Sequence, residues 1–204
     1  MKIKLTKGEL KKQRDALQQY ERYLPTLQLK KQQLQLEILR QDTLRQEKLG
    51  HLTARKSAAA AWIGLLAEPT IDFRGMLSQR QVIMGAKNIA GVELPVFKGV
   101  DFSLIEYDLF ITPLWVDHAL DFFKEMVMLQ EEIKVIESGV AILRQELRVT
   151  TQRVNLFEKI KIPDASEAIR LIKIYLGDQL TNAVGRSKMA KRKIQAQEMA
   201  QVLA

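Results

Sequence analysis

Few side chains in this 204-residue chain have the types and spacing that catalysis or metal binding requires. The only two histidines, His51 and His118, each lie alone in a segment with a helical pattern, and cysteine is absent. Because a zinc site needs several Cys, His or acidic ligands together, a structural or surface role is the simpler interpretation of each histidine. The absence of Cys also excludes a disulfide framework and agrees with a reducing, intracellular location.

Phosphate-binding and nucleophilic motifs are missing as well. Gly185-Arg186-Ser187-Lys188 lacks the upstream glycine of a phosphate-binding loop and follows no predicted strand. The adjacent Glu131 and Glu132 are explained as surface charges of a helix. No serine has a plausible histidine partner nearby in the sequence, although spacing alone does not test a triad assembled by folding. We therefore predict no catalytic residue, no metal and no cofactor.

Charge is distributed unevenly along the chain. Residues 1–15 carry six cations against two acids (net +4), and residues 185–204 carry five against one (net +4). The span 67–125 has five cations and nine acids, for a net charge of −4. Solvated helix surface is one interpretation of the basic ends, and nucleic-acid binding is another. Aromatic residues are scarce there and no groove-reading motif appears, so we predict no nucleic-acid partner.

No segment has the composition of a membrane span. The longest apolar run, residues 58–67, has ten residues, about half of what a bilayer requires. The cations at the start of the chain are not followed by an apolar stretch, so we expect no secretory signal.

Residues 6–64 have the pattern of one long helix. Thr6-Lys7-Gly8-Glu9 has the spacing of a capping box. Beyond it, apolar side chains recur with a period of about 3.5 residues, which is the signature of a left-handed coiled coil. The two sets of heptad positions are Leu10, Leu17, Leu24, Lys31, Ile38, Arg45 and Leu52, and Gln13, Tyr20, Leu27, Leu34, Gln41 and Lys48.

Three further features modify this helix. Leu29, Leu36 and Leu39 widen the apolar stripe and predict that a third element covers part of it. Pro25 predicts a kink or a late start of the stable helix. The helix is predicted to end near Gly64.

Residues 65–115 differ in composition, with three of the five prolines. Residues 82–84 and 92–97 flank Asn88-Ile89-Ala90-Gly91, which predicts a β-hairpin with a turn longer than two residues. Pro95 confines its strand to a sheet edge. Thr112-Pro113 then predicts the N-cap and first residue of a second long helix.

The second helix carries its own heptad pattern, which Pro163 interrupts. After Leu120, Phe123 and Val127, its seam positions are Ile133, Ile136, Val140, Leu143, Leu147, Thr150, Val154 and Phe157. A helical stripe resumes at Ile169, Ile172, Leu176 and Leu180 and leads to the basic end.

Two such helices joined by a compact segment are expected to fold back on each other. We predict a mainly α fold: a long antiparallel two-helix coiled coil with a small central segment that contains the β-hairpin. The predicted regions are a coiled-coil helix at 1–64, the central segment at 65–115, and a coiled-coil helix with a basic tail at 116–204. The seam residues are predicted to be Leu10, Leu17, Leu24, Leu27, Leu34, Ile38, Ile133, Ile136, Val140, Leu143, Leu147, Val154 and Phe157.

The register of this coiled coil follows from the positions of Gly64 and Pro113. With those residues adjacent, Arg45 and Lys48 face Glu131 and Glu132. The last 25 or so residues extend past the start of the first helix.

The stretch Thr151-Gln152-Arg153-Val154-Asn155-Leu156-Phe157-Glu158, followed by Ile162-Pro163, resembles the C-terminal signature of the D subunit of V-type and A-type rotary ATP synthases. That signature reads Thr-x-Arg-x-Asn-Ala-Leu-Glu and then Ile-Pro, so Leu156-Phe157 departs from it while remaining apolar. Leu5-Thr6-Lys7 with residues 12–15, Gly85 with residues 88–95, and the downstream Ile169, Ile172 and residues 186–193 are also similar to that family. The resemblance spans nearly the whole chain, and residues 151–163 are its most specific part.

The resemblance implies a central-stalk subunit that turns inside a ring of catalytic and non-catalytic subunits. Such a stalk couples ATP synthesis or hydrolysis in the ring to proton or sodium movement across the membrane, and binds no nucleotide. Its implied partners are the ring subunits, a smaller central-stalk subunit and a membrane-rotor adaptor subunit, on the cytoplasmic face of the membrane. We name six end cations the basic set and expect them to face acidic ring surfaces: Lys11, Lys12, Arg186, Lys188, Lys191 and Arg192.

A second class of function stays open. A coiled-coil adaptor or an export-apparatus stalk also uses helical hairpins, but such proteins need not carry the 151–163 signature or the central β-hairpin. Co-purification with catalytic ring subunits distinguishes the two.

Overall fold

A computed structural model describes residues 4–64, 77–104, 112–113 and 115–202 of the chain. The fold is mainly helical with one antiparallel β-hairpin, which confirms the predicted class. Much of the predicted central segment, at residues 65–76, 105–111 and 114, lies outside the described residues. The elements in chain order are α1 (Lys7–Ala59), β1 (Leu77–Ile89), β2 (Val92–Leu104), α2 (Trp115–Leu156) and α3 (Ile162–Val202).

Helix α1 begins at the predicted cap. The Thr6 hydroxyl accepts a hydrogen bond from the Glu9 amide at 3.3 Å, and the Thr6 carbonyl accepts one from the Leu10 amide. The Glu9 carboxylate accepts a hydrogen bond from Gln13, while the Thr6 amide donates to the Lys4 carbonyl. The threonine half of the capping box therefore satisfies a helix-start amide, and the glutamate binds along the helix instead.

Helix α1 continues through Pro25 without a late start. It ends at Ala59 rather than near Gly64. Amides one turn later donate to carbonyls three residues earlier, from Ala60 to Ser57 and from Trp62 to Ala59. This tighter hydrogen-bond pattern replaces the α-helical one before Gly64 is reached.

The β-hairpin is confirmed, but its strands are longer and its turn is shorter than predicted. Ile89 pairs with Val92, so only Ala90 and Gly91 form the turn. Both have positive φ, at 53° and 78°, as a type I′ turn requires. The Asn88 side chain accepts a hydrogen bond from the Gly91 amide at 3.1 Å and supports the turn. Pro95 lies in a two-stranded sheet, where each strand is an edge, as predicted.

The start of α2 and its join to α3 both involve proline. Helix α2 begins at Trp115, and the Val116 amide donates to the Pro113 carbonyl at 3.0 Å. Between α2 and α3 the chain forms one π-helical segment, Phe157–Lys161, in which the Ile162 amide donates to the Phe157 carbonyl. Pro163 is the second residue of α3. Pro163 has no amide proton and cannot donate a hydrogen bond within the helix. The π-helical turn before it changes the hydrogen-bond spacing, so the chain continues as a helix, and this turn is the predicted interruption.

The chain divides into two compact units. Unit 1 comprises Met1–Leu29 with Thr151–Ala204, and unit 2 is Lys30–Thr150. In unit 2, α1 pairs with α2 in the antiparallel sense: Asp42 binds Arg144, Lys48 binds Glu132 and Arg55 binds Glu125. In unit 1, Tyr20 of α1 stacks on Phe157, with ring centroids 5.3 Å apart.

Candidate partner-binding surfaces

The heptad positions of α1 are less exposed than the residues between them. All of its heptad positions from Leu10 to Leu52 are buried or half-buried, including the polar ones, while most residues between them are exposed. In the second helix, the eight predicted positions from Ile133 to Phe157 are likewise buried or half-buried. Burial of apolar stripes on both helices is the main source of stability available to a paired helix with little other core.

Two clusters of buried side chains form the core of unit 2. In one, Leu34 and Leu143 pack with Val92 and Leu94 of the β-hairpin. In the other, Leu52 packs with Met126 and Ile133. The β-hairpin is therefore part of the hydrophobic core of unit 2 and covers the seam at the level of Leu34.

Ion pairs border the seam in unit 2. The Lys48 ammonium lies 2.8 Å from the Glu132 carboxylate, as the register predicted. Arg45, which was predicted with Lys48 to face Glu131 and Glu132, instead contacts Glu137 at 3.5 Å and Asp42 at 3.6 Å. Glu131 instead binds Lys134 on its own helix at 2.6 Å. Residues one turn apart on a helix can form an ion pair, so Lys134 competes with the cations of α1 for the Glu131 carboxylate. Heptad spacing does not reveal this competition.

The 151–163 signature divides between the seam and the surface. Val154 is buried and Phe157 is half-buried against Tyr20. Arg153, Asn155 and Glu158 are exposed. These two apolar members of the signature therefore help to hold unit 1 together, and the polar members are available to a partner.

The basic set lies on exposed surface of unit 1. All six side chains are exposed, and none forms an ion pair with an acid in the described part of the chain. Lys11 and Lys12 lie near the start of α1, and the other four cations lie in the second half of α3. The six cations thus form two groups, one on each of these helices.

Helix α3 loses its buried face after Leu176. Ile169 and Ile172 are buried and Leu176 is half-buried, as the stripe predicted, but Leu180 is 62% exposed. Val184, Met189 and Ile194 are also exposed. An apolar, cationic helix with no covering element within the described residues is suited to contact another protein.

The β-hairpin covers the apolar stripe of α1 at Leu34 but leaves Leu36 and Leu39 uncovered. They are 68% and 65% exposed, so no third element of the described chain covers them. Both line a groove beside the β-hairpin. The sequence signalled these leucines as apolar residues outside the heptad, but gave no sign that they stay uncovered.

The two histidines are not assembled into a site. His51 and His118 are both exposed, and His118 lines a cavity of about 520 Å³ with Trp62 and Glu125. Among the residues that the structure describes, no three His, Asp or Glu side chains cluster so as to hold a metal ion. No stretch of α1, α2 or α3 in the described ranges combines the length and apolar character of a bilayer span.

Comparison with known proteins decides the family. Residues 9–192 match the family of the ATP synthase D subunit. The chain belongs to that family. The V-type ATP synthase D subunit from Borreliella burgdorferi is 44% identical over 196 residues, covering 93% of this chain and 94% of the relative. Proteins of the same name from Chlamydia trachomatis serovar L2 and Chlamydia caviae are 36% and 34% identical, each over 95% of this chain and 96% or 94% of the relative.

Membership of this family confirms the resemblance carried by residues 151–163. The match runs through α1, the β-hairpin, α2 and most of α3. It therefore includes both seams and all six members of the basic set, of which Arg192 is the last matched residue.

Proposed function

We propose that this chain is the non-catalytic central-stalk subunit of a V-type or A-type ATP synthase. In this role it turns within the catalytic ring and couples ATP synthesis or hydrolysis there to proton or sodium translocation. Its place is peripheral, on the cytoplasmic face of the membrane, with no catalytic residue of its own. The observation that carries the proposal is the match of residues 9–192 to the D-subunit family, together with buried heptad stripes on both long helices.

The seam gives a physical basis for transmitting torque. A twisting load on two paired helices is resisted where side chains interlock, because sliding one helix past the other opens cavities in a closely packed core. Leu34 and Leu143 are fully buried in this way. Cross-helix ion pairs such as Lys48–Glu132 fix the register at the border of the seam.

The proposed partners divide along the chain. We assign the basic set to the catalytic and non-catalytic ring subunits, because six exposed cations without acidic partners in the described chain favour an acidic surface. We assign the central segment, with the β-hairpin, to the smaller stalk subunit and the membrane-rotor adaptor.

Co-purification tests the proposed function. An affinity-tagged chain expressed in its native host should bring down the catalytic ring subunits with ion-dependent ATPase activity. Recovery of the chain without ring subunits, or with components of an export apparatus, would contradict the proposal.

Charge reversal tests the assignment of the basic set. Changing Arg186, Lys188 and Lys191 to Glu should weaken ring assembly, with the loss largest at low salt where charge interactions are least screened. The matched control reverses Arg22, Arg148 and Lys173, which are also exposed cations outside the basic set and change net charge by the same amount. Equal assembly of both variants would show that the end cations only maintain solubility.

A further inference from the structure

The π-helical segment Phe157–Lys161 displaces the buried stripe of the second helix by one residue. Before it, the seam positions of α2 alternate between spacings of three and four residues up to Phe157. An uninterrupted heptad pattern would continue through residues 161, 164, 168, 171 and 175. The positions that are in fact buried or half-buried include Lys161, Ala165, Ala168, Ile172 and Leu176. The one extra residue matches the π-helical turn, whose hydrogen bond spans one residue more than an α-helical one.

A second apolar stripe lies beside the buried one on α3. Leu171 and Tyr175 are each 40% exposed, whereas the adjacent Ile172 is fully buried and Leu176 is half-buried. Leu171 and Tyr175 occupy the positions that an uninterrupted heptad would bury, and both stripes share Ala168. Helix α3 therefore has two apolar faces, one that suits the π-helical segment and one that suits an α-helical segment in its place.

No directional contact holds α3 on its present face. Within its described part, the side-chain hydrogen bonds and ion pairs join residues of α3 to each other: Arg170 to Glu167, Gln179 to Tyr175, and Thr181 to the carbonyl of Gly177. In unit 2, by contrast, ion pairs such as Arg144–Asp42 join α2 to α1. The buried face of α3 also includes Ala165 and Ala168, whose small side chains interlock less than leucines do. Helix α3 can therefore turn about its axis without breaking a hydrogen bond to another element of the described chain.

The residues next to the π-helical segment are compatible with both forms. In a regular α-helix the ring of Pro163 clashes with the carbonyl of Lys159, four residues earlier, and this clash favours the π form. Helix α1 nevertheless passes Pro25 as an α-helix, so a proline does not prevent the α form. If α3 turned, Asp164 would move toward the buried face. It would then lie one turn from Lys161, which carries the opposite charge and can pair with it.

These observations point to a conformational switch inside unit 1. We propose that Phe157–Lys161 is a rotational switch that converts between a π-helical and an α-helical form. Conversion to the α form turns α3 about its own axis by roughly 100°, the rotation of one helical residue. Leu171 and Tyr175 then replace Ile172 and Leu176 on the buried face. The turn changes which face the exposed end of α3 presents to a partner, and the proposal does not depend on the proposed function.

Single-cysteine labelling of the isolated chain tests the switch, since the chain has no cysteine of its own. Maleimide labelling rates of Leu171→Cys and Ile172→Cys are measured with and without Pro163→Ala. Because Pro163→Ala removes the clash that disfavours the α form, labelling should become roughly tenfold faster at position 172 and slower at position 171. Ile142→Cys and Leu143→Cys are the matched control. These neighbours are 38% and 0% exposed and precede the switch, so their rates should change little.

A deletion separates rotation from loosening of the helix. Removing Lys159, an exposed residue of the π-helical segment, takes out the extra residue, so an α-helical segment then buries Ile172 as well. In that background Pro163→Ala should leave Ile172→Cys fully protected. The matched control removes Arg148, an exposed residue of the regular part of α2. That deletion displaces the seam and should lower the melting temperature measured by circular dichroism, whereas removal of Lys159 should not.

Several results would overturn the proposal. Faster labelling at both 171 and 172 in Pro163→Ala would show local unfolding in place of rotation, and unchanged rates at both would show that α3 has one packing face. If Ile172→Cys does not fold, NMR of the cysteine-free chain makes the same comparison. A soluble paramagnetic agent should broaden the methyl signals of Ile172 more, and those of Leu171 less, in Pro163→Ala, and no such exchange would contradict the switch. Each measurement uses the isolated chain, so its outcome leaves the proposed function untouched.

Discussion

Glu167 and Arg170 lie one turn apart on the exposed surface of α3. The guanidinium of Arg170 donates two hydrogen bonds to the Glu167 carboxylate, at 2.7 and 2.8 Å. These hydrogen bonds, with the attraction between the charges, lower the pKa of Glu167 and raise the pKa of Arg170 from their ordinary values. The pair links two side chains one turn apart on the exposed side of α3, in the part of the helix that also has a buried face.

The Glu167–Arg170 ion pair predicts that the stability of α3 depends on pH. Because the pKa of Glu167 is lower in the folded chain than in the unfolded chain, the pair stabilises α3 above the unfolded pKa, and the contribution is lost as pH falls through the folded pKa. Arg170→Gln should therefore raise the pKa of Glu167 toward its ordinary value. Titration of the Glu167 carboxyl by NMR in both proteins checks this. The same midpoint in both proteins would mean that the pair does not persist in solution.

At the scale of the elements, the α1–α2 seam predicts how individual side chains contribute to stability. Leu143 is fully buried among Leu34, Val92 and Leu94, so Leu143→Ala leaves a cavity and should lower the free energy of unfolding by about 2–5 kcal/mol. The adjacent Ile142 is 38% exposed, and Ile142→Ala should cost less than about 1 kcal/mol. Urea unfolding followed by circular dichroism compares the two. Similar losses at both positions would contradict the assigned face of α2.

The heptad positions of both helices are buried or half-buried, because periodicity records which face of a helix is removed from water. Lys31, Arg45 and Lys48 are half-buried at such positions although they are charged, since a long side chain can bury its stem while its charge stays in water. The Lys48–Glu132 pair agrees with the predicted antiparallel direction, although the adjacency of Gly64 and Pro113 places residue 129, one turn away, opposite Lys48.

Other features of the elements depend on terms that sequence patterns do not contain. Ala90 adopts a positive φ although alanine disfavours it, because the pairing of Ile89 with Val92 leaves only two residues for the turn. Pro163 predicts that the helix is interrupted, but the proline alone does not determine that the interruption is a π-helical segment at Phe157–Lys161. The exposure of Leu36 and Leu39 depends on the position of the β-hairpin, which heptad spacing cannot supply.

At the scale of the whole molecule, the sequence identified the charged ends and the family, but not the occupants of its surfaces. The distribution of cations is a property of composition and can be counted directly. Their accessibility, and the absence of acidic partners for them in the described chain, come from the fold. Which acidic surface they meet is a property of the partner, and so cannot be predicted from this chain.

The end of α3 permits a test that separates stability from assembly. From Gly177 to Gln197, every described side chain is exposed except the half-buried Ala183, so this stretch contributes almost no buried apolar area to its own chain. A variant ending at Leu176 should therefore change the free energy of unfolding by less than about 1 kcal/mol. The same variant should lose co-purification with the ring subunits, because it removes four cations of the basic set together with exposed Leu180 and Val184.

Charge and apolar area at this end can then be separated. The full-length chain with Arg186, Lys188 and Lys191 changed to Glu keeps the apolar residues while it reverses the charge. If it retains part of the assembly that truncation abolishes, the apolar residues supply the remainder. A loss of several kcal/mol on truncation would show instead that this end packs against its own chain, and that its exposed face is not reserved for a partner.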